Sequence, residues 1–360
     1  MIKLNIPNQR LYNLGLIQTK FEDPGEVVHW LGAVQSQDYA GTKWALGQRL
    51  KNISDGLIDQ AFADGSILRT HLLRPTWHFV TPPDIRWMLE LTAPRVHAAS
   101  AYMYRKVELN HKIFERSNVA MEKALQGGKQ LTRDELRDVL EKTGIRTNGK
   151  QRMTYLMMQA ELDGVVCSGP RKGKQFTYML LEERVPRTRK LTHDEALIEL
   201  SKRYFTSRGP ATIQDFAKWS GLTVTDSKLG LEAVKSQFQT ETMGGQTYWF
   251  REYEKSIKIS SPTVHLLSIY DEYISSYKDR SAMGDGKYAE KFISMGNALS
   301  YIIVLNGQIM GTWRRTLKKK EVIIKPNFFI PFKKAEKEAF IRTAEQYGIF
   351  LNLSVVIEYE

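Results

Sequence analysis

The sequence has 360 residues, of which 42% are hydrophobic and 26% are charged, a balance typical of a folded chain of roughly two or three domains. Its formal net charge of +12 favours a polyanionic partner, nucleic acid first and an anionic membrane second; the plainer alternative is charge that only promotes solubility. The single cysteine, Cys167, excludes an internal disulfide and a cysteine-cluster metal site.

The N-terminal stretch predicts no targeting signal. Polar residues occur throughout Met1 to Leu14, so this stretch does not have the apolar core of a signal peptide. No run in the chain approaches the roughly 18 apolar residues of a membrane span. We therefore expect a cytoplasmic protein with no membrane partner.

The first predicted domain covers residues 1–105 and has the order of a winged helix-turn-helix. Asp23, Pro24 and Glu26 form a helix start, with a capping side chain, a proline in the first turn and an acid at the third position. Several short helices and then a two-stranded ribbon follow. Helical spacing of apolar residues covers 27–34, 44–50 and 57–62, and the ribbon covers 68–80.

A pair of glutamines, Gln35 and Gln37, follows the first of these helices directly. On a regular helix, residues two apart diverge by roughly 200°, so both face one site only if the backbone is extended or irregular. We therefore predict a non-helical backbone at Ser36. A neutral amide can hold a water molecule or a base edge by donating and accepting hydrogen bonds. Two solvated polar residues at a helix end are the alternative interpretation.

The second predicted domain covers residues 106–185. Thr132 to Glu135 is a capping box that opens a second helix, and a third helix buries Met153 to Ala160 on one face. A hairpin follows, with a tip at 169–174 that carries three basic residues and no acid. This is the pattern of a candidate recognition helix followed by a basic wing. A solvated loop tip and a DNA contact are equally good interpretations of the charge.

The third predicted domain, residues 186–255, repeats this plan. A capping box at Thr192 to Glu195 begins its first helix, and Gly244-Gly245 turns its hairpin. The fourth domain, residues 256–360, reads as strands around an Asn306-Gly307 hairpin, one helix and a basic edge. The predicted fold is therefore α+β, with three tandem winged helix-turn-helix modules followed by a small C-terminal α+β domain.

Six stretches are informative together, namely Gln35–Gln37, Leu73–His78, Ser207–Leu222, Tyr270–Tyr273, Tyr277–Ser281 and Gly311–Arg315. In combination they resemble the winged-helix DNA glycosylase family of the AlkZ and YcaQ type. The resemblance implies a DNA-binding concavity and excision of alkylated purines, including N7-linked guanine adducts and, in some members, interstrand cross-links. The family's catalytic pair, Gln-x-Gln or Gln-x-Asp, matches Gln35 and Gln37 in this sequence. Ser36 departs from the aliphatic residue that the family usually has between them.

The chemistry of two amides narrows the substrate. Glycoside hydrolysis usually needs one carboxyl as acid and another as base or nucleophile, and amides supply neither. They suffice when the leaving group is already cationic, as N7-alkylguanine is. Asp38 is the alternative base, ranked below the pair because on an extended segment its side chain points away from theirs.

The predicted site residues fall into three groups, and no metal or cofactor is expected. The histidines have no metal-ligand spacing to an acid or cysteine. The predicted catalytic residues are Gln35 and Gln37; the predicted DNA-binding residues are Arg69, Arg74, His78, Arg152, Tyr155, Arg171, Lys172, Lys174, Arg314 and Arg315; the predicted lesion pocket is Asp38, Tyr39 and Trp44, although core packing is the stronger interpretation for Trp44.

Two functions follow from these patterns. The first is a monofunctional DNA glycosylase acting in base excision repair on double-stranded DNA, associated with the nucleoid. The second is a non-catalytic winged-helix DNA-binding protein or transcriptional regulator. A regulator usually needs a dimer to read a palindrome, whereas three modules in one chain with no heptad seam favour a monomer.

Overall fold

The computed structural model describes residues 4–19, 21–52, 54–149, 151–187, 190–251, 261–284 and 301–359. Its helices and strands alternate along the chain, so the predicted α+β class is confirmed.

The first unit begins as the sequence predicts. Asp23 caps the second helix in a full capping box with Glu26, and Pro24 is its first residue. The three strands form an antiparallel sheet in the order β1-β3-β2. Its elements are α1 (Ile6–Asn13), α2 (Pro24–Leu31), β1 (Val34–Gln35), α3 (Tyr39–Gly47), α4 (Asp55–Asp64), β2 (Leu68–Leu72) and β3 (Thr76–Val80).

A long helix, α5 (Pro82–Lys106), connects the first unit to the second, and the sequence patterns did not predict it. It contains Pro94, which removes one helical hydrogen bond and disfavours a continuous helix. The helix continues because one face buries large residues such as Trp87, Met88 and Leu91. Tertiary packing thus outweighs the local cost of the proline.

The second unit has the same order of helix, strand, two helices and a hairpin. Thr132 and Glu135 form the predicted capping box at the start of its second helix. Its first helix begins at His111, where Asn110 is the capping residue. The sheet order is β4-β6-β5. The elements are α6 (His111–Leu125), β4 (Leu131–Thr132), α7 (Arg133–Lys142), α8 (Arg152–Leu162), β5 (Val166–Lys172), β6 (Gln175–Leu180) and α9 (Leu181–Arg184).

The third unit repeats this order with its first strand reduced to one bridge between Ala211 and Trp249. Thr192 caps its first helix, and Gly244 and Gly245 turn its hairpin with positive φ, both as predicted. Thr212 caps its second helix. The elements are α10 (His193–Arg208), α11 (Ile213–Ser220), α12 (Val224–Val234), β7 (Gln239–Met243) and β8 (Gln246–Phe250).

The C-terminal unit is a five-stranded sheet in the order β13-β12-β11-β10-β9 with one long helix. Asn306-Gly307 joins β10 to β11 as predicted. The elements are β9 (Val264–Leu267), α13 (Glu272–Ser275), β10 (Tyr301–Leu305), β11 (Gln308–Leu317), β12 (Glu321–Phe328), α14 (Lys334–Leu351) and β13 (Ser354–Ile357).

One hydrophobic core cluster contains residues of all four units. Trp44 of the first unit, Trp219 of the third and Trp313 of the C-terminal unit are all fully buried. Trp44 and Trp313 both contact Tyr347 of α14, with ring centroids 4.9 and 5.3 Å away. The first unit is therefore held against the C-terminal unit by buried aromatic contacts.

Candidate functional site

The backbone between the two glutamines is not helical. Strand β1 ends at Gln35, which pairs with His78 of β3, and α3 begins only at Tyr39. The amide of Ser36 continues the pairing by donating to the carbonyl of Trp77 at 2.7 Å. The prediction for Ser36 is therefore confirmed. Extended backbone directs side chains two residues apart to the same side, so the condition for two converging amides is met.

The fold already fixes the side chain and the main chain of Gln35. The side chain is buried, and its Oε1 accepts a hydrogen bond from Nη2 of Arg74 at 3.1 Å. Its main-chain N donates to Oε1 of Glu272 at 3.0 Å, and its carbonyl accepts from Thr42 Oγ1 at 3.0 Å. Because arginine only donates, the atom facing Arg74 must be the amide oxygen. No described residue accepts from the amide Nε2, so this group can donate to a ligand.

Gln37 lies in the turn after β1 and its side chain is exposed. Its Oε1 accepts from the main-chain N of Trp77 at 3.4 Å, which is a long and weak hydrogen bond. This side chain can exchange that bond for one to water or to a ligand at little cost.

A buried carboxylate lies behind Gln35. Oε2 of Glu272 accepts from Nη2 of Arg208 at 2.7 Å, from Ser276 Oγ at 2.6 Å and from Nε1 of Trp219 at 3.1 Å. Burial alone would raise the pKa of Glu272, but the charge of Arg208 and these hydrogen bonds lower it to about 2. Glu272 is therefore a fixed negative charge that positions Gln35, and with no free oxygen it is not a proton acceptor for the reaction.

Arg69 holds the same segment from the other side, which corrects its prediction as a DNA contact. It is buried, with its guanidinium 4.4 Å from the ring centre of Trp77 and 4.5 Å from that of Phe176. Its Nε donates to the carbonyl of Ser36 at 3.1 Å. Burial lowers the pKa of Arg69 to about 10. The side chain positions the backbone between the glutamines and does not face solvent.

Two further predicted DNA contacts are also buried, so these predictions are wrong for this structure. His78 is fully buried, and its Nδ1 lies 3.0 Å from the carbonyl of Thr76. Burial lowers the pKa of His78 to about 3, so it is neutral at pH 7. Arg152 is buried and donates to the carbonyls of Arg146, at 2.6 Å, and Glu108, at 2.9 Å. Its role is to tie the start of α8 to the chain before it.

Trp44 does not line a lesion pocket. Only 1% of it is exposed, its ring contacts Tyr347 and Phe350, and its Nε1 donates to the carbonyl of Leu266 at 2.6 Å. The core interpretation of Trp44 is confirmed. A tryptophan whose ring and N–H are both satisfied by the protein has nothing left for a base.

Tyr39 is half-buried and joins two units. Its hydroxyl donates to Oδ1 of Asp59 at 2.8 Å, and its ring lies 5.1 Å from that of Phe176 in the second unit. The guanidinium of Arg171, from the tip of the β5–β6 hairpin, lies 5.0 Å above the Tyr39 ring and 3.9 Å from Asp59. Tyr39 and Arg171 therefore dock the hairpin on the first unit, and Arg171 is only partly available to DNA.

Asp38 faces the C-terminal unit. Its Oδ2 accepts from the hydroxyl of Tyr301 at 2.7 Å, and Arg315 donates to the same hydroxyl at 3.1 Å and also to that of Tyr347. Asp38 is half-buried, so it stays the alternative proton acceptor. The other predicted contacts are accessible. Lys172, Lys174 and Arg314 are exposed, and Tyr155 and Arg74 are half-buried.

Among the described residues, no group of three or more His, Cys, Asp or Glu side chains is placed to hold a metal ion. None of the described helices is long and apolar enough to cross a membrane.

Comparison with known proteins identifies the family. The family model described as "DNA glycosylase AlkZ-like" matches residues 28–350. The chain belongs to the AlkZ-like DNA glycosylase family. A curated relative, the "Interstrand DNA cross-link repair glycosylase" of Streptomyces sahachiroi, is 24% identical over 354 residues, spanning 90% of this chain and 92% of that protein. The structure of the Streptomyces sahachiroi DNA glycosylase AlkZ has the same fold, with a TM-score of 0.79, 19% identity and 98% of each chain covered.

Membership of the AlkZ-like family gives the coarse activity, which is hydrolysis of N-glycosidic bonds in DNA during repair. It confirms the resemblance that the sequence predicted and favours an enzyme over a transcriptional regulator.

Sequence reasoning missed the residues that surround Gln35 in this AlkZ-like chain. Glu272 and Arg208 lie in stretches that carried the resemblance, yet no role followed for them. The available signal was an acidic residue inside the aromatic stretch Tyr270–Tyr273, since a charge there must be paired if it is buried. Lys218 and Arg280 gave no comparable signal of a functional role in the sequence.

Proposed function

We propose that this AlkZ-like glycosylase releases N7-alkylated guanine from double-stranded DNA and leaves an abasic site, with Gln35 and Gln37 as its catalytic pair. It acts as a monofunctional, monomeric enzyme without metal or cofactor. The observation that carries the proposal is the pair itself. Arg74 holds Oε1 of Gln35, and Glu272 holds its main-chain N, while no described residue accepts from its amide N–H groups. The exposed Gln37 follows two residues later on the same non-helical segment.

The chemistry follows from what these groups can supply. Departure of a neutral purine needs an acid to protonate it, and no amide is an acid. An N7-alkylguanine already carries a positive charge and leaves as a neutral base, so only water and the cationic sugar need to be oriented. Gln37 holds the attacking water, and Gln35 orients that water or the sugar. An N7-linked interstrand cross-link has the same cationic leaving group, so unhooking of such cross-links belongs to the proposed substrate class.

The proposal includes the domain plan. The three units with the order helix, strand, two helices and hairpin are winged-helix modules at 1–105, 106–185 and 186–255, followed by the C-terminal domain at 256–360. Accessible basic residues on two hairpins are the proposed backbone contacts. These residues are Lys172 and Lys174 of the β5–β6 hairpin and Arg314 of the β11–β12 hairpin.

The test is single-turnover excision on matched duplexes that contain N7-methylguanine or uracil, with EDTA present. We expect release of N7-methylguanine and little release of uracil, because no acid is available to protonate a neutral base. Asp38→Asn tests the alternative proton acceptor and should retain most of the excision rate. Efficient uracil release, or loss of excision in Asp38→Asn, contradicts the two-amide mechanism. DNA binding without any excision would instead favour a non-catalytic DNA-binding protein.

A further inference from the structure

Three cations lie together beside Gln35 and are held by backbone carbonyls. Nη1 of Arg74 donates to the carbonyls of Lys218, at 3.2 Å, and Trp219, at 3.0 Å, at the C-terminal end of α11. Nζ of Lys218 donates to the carbonyl of Tyr277 at 2.9 Å. Nε of Arg280 donates to the carbonyl of Ile274 at 3.3 Å. We refer to Arg74, Lys218 and Arg280 as the basic cluster.

Within the described part of the chain, no carboxylate oxygen lies within 4.0 Å of a nitrogen of the basic cluster. Two buried carboxylates influence the cluster, but both are engaged elsewhere. Glu272 binds Arg208 at 2.7 Å. Asp215 lies 3.8 Å from Arg10 and accepts from the main-chain N of Lys278 at 2.7 Å. Among the described residues, the cluster therefore carries positive charge without a paired counter-ion.

The pKa values of all three cluster residues are lowered. Burial lowers the pKa of Arg74 and that of Arg280. Burial and the like charges of Arg280, Arg74 and Lys278 lower the pKa of Lys218 to about 8, against the opposing charge of Asp215. Lys218 is nevertheless exposed, and Arg74 and Arg280 are half-buried, so an anion can reach the cluster.

The cluster is also rigidly joined to the glutamine site. Arg74 uses its other terminal nitrogen to hold Oε1 of Gln35. The turn that carries Arg74 packs tightly on the end of α11, because a Cβ on Gly221 would lie 2.2 Å from the carbonyl oxygen of Leu73. The two elements that carry Arg74 and Lys218 therefore cannot separate without disturbing Gln35.

We propose that the basic cluster is a phosphodiester-binding site that holds the DNA backbone of the nucleotide presented to Gln35 and Gln37. The inference rests on the proposed function and adds a positioning role. A phosphodiester would supply the missing counter-ion and accept charge-assisted hydrogen bonds from preorganised donors. Arg74 then links the bound phosphate directly to the amide that orients the reaction.

The first test measures the affinity for a duplex with a stable tetrahydrofuran abasic analogue as a function of salt. Lys218→Met should weaken binding about tenfold, as expected for loss of one hydrogen bond to a charged group. It should also reduce the slope of log affinity against log salt by about 0.9, the value for one phosphate contact. The matched control is Lys337→Met on α14, an exposed lysine with no ion pair among the described residues, which should change neither quantity. An unchanged slope and affinity in Lys218→Met would overturn the proposal.

The second test locates the phosphate. A neutral methylphosphonate replaces one linkage at a time on either side of the abasic analogue. One position should weaken binding to the wild-type protein and have a clearly smaller effect in Lys218→Met or Arg280→Gln, because each variant has already lost one of the contacts to that phosphate. If every position weakens binding equally in the wild type and in the variants, no phosphodiester lies at the cluster.

The third test uses pH. Lys218 is charged below its pKa of about 8, so wild-type affinity should fall as the pH rises from about 7 to about 9. Lys218→Arg should keep its affinity over that range, since a guanidinium stays charged. A wild-type affinity that does not change with pH, or a Lys218→Arg variant that falls in parallel with it, would contradict the role of Lys218.

These binding measurements separate the cluster from the catalytic proposal. If N7-methylguanine is not excised but the methylphosphonate effect is smaller in Lys218→Met than in the wild type, the phosphate-binding role of the cluster is supported and the proposed reaction is contradicted. Inorganic phosphate is titrated as a competitor of the abasic duplex. Competition should require millimolar phosphate, far above the duplex concentration. Saturable phosphate binding that Lys218→Met abolishes while duplex affinity is unchanged would identify a free-anion site and overturn the DNA assignment.

Discussion

At the residue scale, the two glutamines differ in how much of each side chain the fold already uses. Gln35 is buried and accepts from Arg74, whereas Gln37 is exposed and makes one long hydrogen bond of 3.4 Å to Trp77. Substitution of Gln35 should therefore lower both stability and activity, whereas substitution of Gln37 should lower activity alone.

Gln37→Ala should lower the single-turnover excision rate roughly 100-fold, the scale for losing one positioned hydrogen-bonding group, with little change in melting temperature or DNA affinity. Gln35→Ala should lower the rate and also destabilise the fold by about 1–3 kcal/mol, because it leaves a half-buried Arg74 donor unpaired. Single-turnover kinetics and thermal unfolding of both variants test this. Full activity in Gln37→Ala would refute its assignment.

Substitution of Glu272 should have a large effect on stability, because Glu272 is the partner of the buried Arg208. Breaking a buried ion pair by removing one charge costs about 3–5 kcal/mol, so Glu272→Gln should be strongly destabilised. The folded-state pKa of about 2 lies below the ordinary value of 4.5, so the stabilisation is fully present above pH 4.5. It should be lost as the pH falls from 4.5 towards 2.

Urea unfolding at several pH values between about 2.5 and 6 measures this dependence. Stability of Glu272→Gln should fall less steeply with acid than that of the wild-type protein. Glu232→Gln is the control, since Glu232 pairs with Lys235 on the surface of α12 and should behave as wild type. Parallel acid profiles for the wild type and Glu272→Gln would show that the pair does not carry the stabilisation.

At the element scale, the tip of the β5–β6 hairpin divides into a docked part and a free part. Arg171 packs on Tyr39 and Phe176 and lies 3.9 Å from Asp59, while Lys174 is exposed. The sequence suggested one role for the whole basic tip. The structure indicates that its first basic residue, Arg171, fixes the hairpin on the first unit.

Arg171→Ala should therefore destabilise the protein by about 1 kcal/mol, the value of a partly buried cation–π contact. Lys174→Ala should leave the melting temperature unchanged and weaken binding to duplex DNA, because an exposed lysine contributes only through the phosphate backbone. Thermal unfolding and titration with duplex DNA, on both variants, test the division. An unchanged melting temperature in Arg171→Ala would contradict the docking role.

At the scale of the whole molecule, the net charge of +12 predicts a strong dependence of DNA binding on salt. Each phosphate neutralised by a lysine or arginine releases counter-ions and contributes about 0.9 to the slope of log affinity against log salt. Affinity for undamaged duplex should therefore fall steeply between about 50 and 200 mM salt. Arg314→Ala should reduce this slope by about 0.9, the value for one phosphate contact. A flat plot would exclude the proposed basic surfaces as the DNA-binding face.

The sequence by itself determined what depends on neighbours along the chain. The capping box at Thr132, the Asn306-Gly307 turn and the non-helical backbone at Ser36 were all predicted, because caps, turns and side-chain alternation involve only a few consecutive residues. The helical span over Pro94 was not predicted, since burial of one face of α5 decides it.

Only the tertiary structure decided which charged residues are free. Arg69 was predicted to bind DNA, yet its side chain is used to hold the backbone at Ser36, 33 residues away. Glu272 supports Gln35 and pairs with Arg208, which is 64 residues away in the sequence. A local sequence pattern cannot predict a contact over that separation. A charge is solvated or buried according to what packs around it, and the pairing that burial requires joins residues far apart in the chain.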